Sequence, residues 1–118
     1  VKMLRSKEES VNGFEREVIN DVANLDNVEW WTRNVERRGF CINGFINHFP
    51  DFIIKTTKGK IVLLETKGDH LEAGKKIRLG NLWANKAGND YRYCLVYNDR
   101  QVDGAYTKAQ FVELMANW

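Results

Sequence analysis

The chain has 118 residues, 43% hydrophobic and 29% charged, with a net charge of +2. That length supports one domain with a single core and no staples, and the balance is that of an ordinary soluble globular protein. So small a net charge excludes a surface that attracts polyanions all over, so any nucleic-acid surface must be local.

A first helix is predicted from about residue 9 to residue 25, ended by Asp26-Asn27. Val11, Phe14, Val18, Val22 and Leu25 form its apolar stripe. Glu15 falls within the stripe and Glu17 well outside it, near Asp21, so Glu15 is the carboxylate that needs a partner. Residues 28–34 read as a strand, with Trp30 and Trp31 supplying β propensity. Residues 40–46 read either as a bent strand extension or as an ordered loop, with Gly39 and Gly44 as breakers. Arg33, Arg37 and Arg38, opposed only by Glu36, form a basic cluster whose default reading is a solvated surface.

Two apolar strands come next, His48-Phe49-Pro50-Asp51-Phe52-Ile53-Ile54 and Ile61-Val62-Leu63-Leu64-Glu65-Thr66-Lys67-Gly68. Thr57-Lys58-Gly59 suits a three-residue hairpin loop with Gly59 in the left-handed position. That register sets Thr56 against Lys60 and Asp51 opposite Glu65, about 5 Å apart at Cβ. A two-residue loop would put Asp51 on the other face. Glu65 follows four consecutive apolar residues, where an unpaired carboxylate costs several kcal/mol. Lys67, two residues on, shares its face.

A second helix is predicted from about residue 72 to residue 86, stopped by Gly88, with Ile77, Leu79, Leu82, Trp83 and Ala87 toward the sheet. Its Lys75, Lys76, Arg78 and Asn81 are candidates for phosphate contact, or else solvated charges on an exposed face; Lys76 lies near the Lys67 strand end. Residues 91–97 form another strand and residues 108–117 a short closing helix. The order is α-β-β-β-α-β-α, and a helix between the third and fourth strands makes them parallel. A mixed α/β sheet with helices on both faces is expected. Cys41 and Cys94 read as buried free thiols. His48 reads as packed or surface, and His70 as a possible substrate contact; neither has zinc-site spacing.

Asp51, Glu65 and Lys67 thus converge. Two carboxylates suit a hard divalent cation such as Mg2+, and a neighbouring ammonium can orient or deprotonate an attacking water or balance phosphate charge. That constellation supports metal-assisted phosphodiester hydrolysis. The plain alternative is a buried ion pair of Lys67 with Glu65 or Asp51 that closes the strand end.

Pro50-Asp51 followed by Glu65-Thr66-Lys67 resembles the PD-(D/E)XK nuclease signature. The wider text, from Val28-Glu29-Trp30-Trp31 to Gly88-Asn89-Asp90-Tyr91-Arg92-Tyr93, looks like the C-terminal endonuclease domain of type III restriction enzyme Res subunits. The resemblance implies a restriction-endonuclease-like fold over residues 1–118. It implies Mg2+, or Mn2+ in its place, on Asp51, Glu65 and the Thr66 carbonyl, with Lys67 serving the water. An acidic residue from the first helix, here Glu15, also enters the site in many members. DNA is the implied substrate. A helicase or translocase in the same parent chain, a methyltransferase subunit and a homodimer are the implied partners. ATP would belong to the parent motor. The chain opens on Val1 and has no Walker motif, which reads as a domain cut from a longer protein. With no signal peptide or membrane-length apolar run, a cytoplasmic protein is expected. A repair or junction-resolving nuclease, or a catalytically silent DNA-binding domain of the same fold, is the rival reading.

Overall fold

The computed structural model describes residues 13–35, 38–44, 46–67, 73–98 and 103–118. Strands β1 (Val28–Arg33), β4 (Phe52–Thr56), β5 (Ile61–Lys67), β6 (Tyr91–Tyr97) and β7 (Tyr106–Thr107) form one sheet in the order β1-β4-β5-β6-β7. The β1/β4 and β4/β5 pairs are antiparallel; β5/β6 and β6/β7 are parallel. Helices α1 (Gly13–Ala23) and α3 (Lys108–Asn117) and helix α2 (Gly74–Ala87) flank it.

Strand β5 explains both layers through its two-residue side-chain period. Val62 and Leu64 join Phe52, Ile54, Val18, Val22, Phe111 and Met115 on the α1/α3 face. Leu63 packs with Leu95, Tyr97, Ile77 and Leu79 on the α2 face. Glu65 and Lys67 follow Leu63 by alternation, so they reach the end of the α2 face. A fully buried side chain of this size contributes about 1.5–3 kcal/mol, and neighbours such as Phe52, Ile54, Val62 and Leu64, each with no exposed surface, offset the burial of one carboxylate.

The hairpin has the expected register. Phe52 faces Leu64 and Ile53 faces Leu63, which carries Asp51 opposite Glu65 by continuation. Gly59 has φ 88°, its N–H reaches Thr56 O at 3.0 Å, and the Thr56 N–H reaches Lys60 O at 2.9 Å.

Residues 40–46 were open between two readings, and the structure gives a third. β2 (Ile42–Asn43) and β3 (Asn47–His48) form a separate small hairpin. It lies against α2, since a Cβ on Gly44 would sit 2.5 Å from Leu79 Cδ1. β7 was not anticipated; it is two residues long, too short for a periodic signal. Thr107 ends it and caps α3 in a reciprocal capping box with Gln110, which fixes the helix start at Lys108.

The inner stripe of α2 differs from the expected one. Leu82 is 47% exposed and Ala87 is also exposed, while Ala73, Ile77 and Gly80 are buried. The reason is close approach: a Cβ on Gly80 would lie 2.3 Å from the Tyr93 ring. Cys94 is buried as expected, but Cys41 is only half-buried, on the edge of the small hairpin. Residues 9–12, including Val11 of the first stripe, together with Glu36, Arg37, His70 and Glu72, lie outside the described residues.

Candidate active site

A polar pocket of about 290 Å³ opens where the C-terminal end of β5 meets the start of β4, the β3 hairpin and the first turn of α2. Its lining includes Glu15, His48, Asp51, Glu65, Thr66, Lys67 and Lys76.

Asp51 sits one residue before β4, where the chain leaves the ladder. Its backbone carbonyl accepts from the Asn34 N–H at 2.8 Å and from Arg33 Nη1 at 2.9 Å. Its Oδ2 accepts from the Thr66 N–H at 2.8 Å and from the Thr66 hydroxyl at 3.0 Å. Arg33 Nη1 also lies 3.4 Å from Oδ1. Two neighbouring strands, β1 through Arg33 and β5 through Thr66, therefore hold this carboxylate.

Glu65 is 3% exposed. Its Oε2 receives Lys76 Nζ at 2.8 Å, with Lys67 Nζ at 3.7 Å. Its Oε1 is buried and has no hydrogen-bond partner. Burial first, then the charge of Asp51, pushes the Glu65 carboxyl up to about 7, against the pull of Lys76 and Lys67. Lys67 is held below its ordinary range by burial and by the Lys76 ammonium, against the two carboxylates. Burial works against the Lys76 ammonium too, but the charge and hydrogen bond of Glu65 outweigh it and raise Lys76.

Glu15 is buried and Glu17 is exposed, as the helical wheel requires. Glu15 Oε2 lies 3.7 Å from Arg33 Nη2, so Arg33 stands between Glu15 and Asp51. Glu17 turns away to Lys108, 2.5 Å from its Nζ. Of the two ion pairs in the plain alternative, Lys67 forms the one with Glu65, at 3.7 Å, while Asp51 pairs with Arg33 and Thr66.

The four phosphate-contact candidates separate. Lys76 enters the pocket; Lys75 and Arg78 stay exposed on α2. Asn81 lines a different hollow, with Arg92 and Trp118. His48 is packed, 1% exposed, with Nε2 2.6 Å from the Tyr93 hydroxyl oxygen. Burial and then Lys76 lower His48 to about 4, so it is a neutral imidazole at ordinary pH.

No family model, curated protein or solved structure matches the chain. The chemistry is therefore read from the geometry and the motif. Among the described residues, no three His, Cys, Asp or Glu side chains are gathered into a ready metal cage. What the pocket offers instead is two opposed carboxylates, one oxygen of which is orphaned in a buried site. An unpartnered buried carboxylate oxygen is a costly feature that a cation relieves. With three carboxylates and three cations lining or bordering it, the pocket has a surface for a divalent ion and a surface for a phosphate.

Sequence reasoning missed Arg33 as a member of the site and undervalued Lys76. Arg33 carries the same signal as Glu65, a charge at the end of an apolar strand, and its register opposite Phe52 puts it beside Asp51. Lys76 becomes visible only when α2 is packed onto the β5–β6 crossover.

Proposed function

We propose that this chain is a Mg2+-dependent DNA endonuclease domain of the PD-(D/E)XK type, which hydrolyses phosphodiester bonds. The observation that carries the reading is the orphaned Glu65 Oε1, buried opposite Asp51 and beside Lys67. Asp51, Glu65 and the Thr66 carbonyl would hold the ion. When bound, it would supply charge stabilisation for the phosphoryl oxygens and lower the pKa of a coordinated water.

The remaining work belongs to the side chains. Lys67, whose ammonium releases its proton more readily than an ordinary lysine, orients the water and takes up or returns its proton. Lys76, at the mouth of the crossover helix, turns to the scissile phosphate once Glu65 is otherwise neutralised. Arg33 and Glu15 keep Asp51 in its rotamer, and preorganisation of this kind carries much of the effect in such sites.

We place the domain in a type III restriction Res subunit or a related helicase-nuclease. In that setting the motor supplies ATP hydrolysis, a methyltransferase subunit or a second copy joins the assembly, and the compartment is cytoplasmic. A repair or junction-resolving nuclease shares the same chemistry and differs in the parent chain. One observation favours a catalytically silent DNA-binding domain: Lys76 already neutralises Glu65 at 2.8 Å. Calorimetric titration with Mg2+ separates the readings. The nuclease reading expects binding that Asp51→Ala abolishes, and equal affinity in both proteins overturns it.

A further inference from the structure

The large apolar side chains left exposed among the described residues are Phe40, Leu82 and Tyr91, between 36% and 47% exposed. Phe40 and Leu82 meet at one hollow, and Trp83 links Phe40 to Tyr91, which lines the neighbouring hollow. Trp83 makes edge contacts with Phe40 at 5.7 Å and with Tyr91 at 5.6 Å between ring centroids. Phe40 and Leu82 line a hollow of about 560 Å³ between the β2–β3 hairpin and α2, floored by Leu79 and Trp83. Isolated exposed apolar residues are ordinary, but a contiguous group marks an interaction surface.

Phe40 is fixed there by its backbone. The buried Asn34 side chain donates to Phe40 O at 2.8 Å and accepts from the Phe40 N–H at 2.8 Å. A Cβ on the adjacent Gly39 would fall 2.2 Å from Asn34 Oδ1, so this clamp needs glycine at that position. The phenyl ring on this fixed backbone stays 39% exposed beside Trp83, which is unfavourable for the free protein.

The charge beside the hollow tells what covers it. α2 carries Lys75, Lys76, Arg78 and Lys86 and no carboxylate. Lys75, Arg78, Leu82 and Lys86 recur at helical spacing and are all exposed. They make one stripe that starts beside the Lys76 end of the candidate active site and ends at the hollow, which Lys86 also lines. An apolar partner surface would offer no counter-charge to Lys75 and Lys86, both exposed on this stripe. A duplex would answer them, but its bases are already stacked and have no use for exposed rings.

We infer that the hollow and the α2 stripe bind single-stranded nucleic acid, with phosphates along Lys75, Arg78 and Lys86 and unpaired bases against Phe40, Leu82 and Trp83. A basic track with aromatic groups beside it is the general form of sequence-tolerant single-strand binding. The inference deepens the nuclease reading and rests on it for the strand's direction: the preferred substrate is DNA with an unpaired segment next to the cut.

The test is fluorescence anisotropy in chelator, so that no cleavage occurs, with labelled oligothymidylate and a duplex of equal length. Phe40→Ala and Leu82→Ser alter exposed side chains and leave the core intact. Oligothymidylate should bind more tightly than duplex. The double variant should lose about tenfold for the single strand and change little for the duplex. Lys86→Glu should weaken the single strand as well. Equal affinity for both forms, unchanged in the double variant, overturns the inference. So does a patch whose substitution only dissolves a dimer in analytical ultracentrifugation. Binding of this kind by a protein that cuts no DNA would leave the inference standing and sink the nuclease reading alone.

Discussion

Lys76 Nζ lies 2.8 Å from Glu65 Oε2, closer than the motif lysine Lys67, whose Nζ is 3.7 Å from the same oxygen. A residue from the crossover helix, outside the three-residue signature, thus holds the place that a metal ion would share. Removing it should help the ion. Lys76→Met is expected to tighten Mg2+ binding about three- to tenfold at alkaline pH, since Glu65 loses the cation that competes with the ion. Cleavage should fall nonetheless, because a phosphate contact is lost. Calorimetry checks the first statement; unchanged or weaker binding would mean that Lys76 is no competitor.

The stability of the metal-free protein should respond to pH through two opposed groups. Glu65 is raised to about 7 by burial and Asp51, so the folded state holds that proton more tightly than the unfolded chain, and stability falls as pH rises from about 4.5 to 7. His48 is lowered to about 4 by burial and Lys76, so its contribution is lost as pH falls from 6.5 to about 4. The two slopes nearly cancel between those limits. Glu65→Gln removes one of them, and stability should then rise by about 3 kcal/mol across that interval, at 1.36 kcal/mol per pKa unit. Urea denaturation in chelator at several pH values measures it; an equally flat profile in the variant would contradict the cancellation.

Glu15 and Glu17 sit two residues apart and should behave differently. Glu15→Gln disturbs the Arg33–Asp51 arrangement and is expected to lower cleavage about tenfold or more. Glu17→Gln removes an exposed pair with Lys108, worth little in water, and should leave cleavage within about twofold. Parallel single-turnover rates decide the ranking, and the reverse order would place the wrong helix face in the site.

Gly80→Ala tests the packing that delivers Lys76. In an open helix this change would stabilise by about 1 kcal/mol. Here the new methyl meets the Tyr93 ring at 2.3 Å, and overpacking should instead destabilise by about 1–3 kcal/mol. A melting temperature that rises would show that α2 stands further from β6 than described.

Strand β5 and the hairpin were legible because they are local: a two-residue period, one Gly with positive φ, and a short loop determine the pairing. Strand β6 and helix α3 were legible to the residue for the same reason. The small hairpin at Ile42–His48 and strand β7 were not, since two-residue strands carry no periodicity and exist only because a neighbour accepts them. Leu82 was misassigned because its spacing fits the inner stripe equally well, and Gly80 decides which stripe faces inward by allowing close approach to Tyr93. Arg33 and Lys76 were hidden for a related reason. Their partners come from elements remote in sequence, so only the packed sheet brings them to Asp51 and Glu65.

The most direct test of the nuclease reading is the nicking of supercoiled plasmid in Mn2+, at high protein concentration and low salt, by the wild type and by Lys67→Ala. Low salt favours the phosphate contacts on which an isolated domain depends. The wild type should nick the plasmid. Lys67→Ala should lose activity by at least about a hundredfold while keeping its fold and most of its metal binding, since Asp51 and Glu65 remain. Equal rates from the two proteins, or a Lys67→Ala protein that loses only its fold, would contradict it.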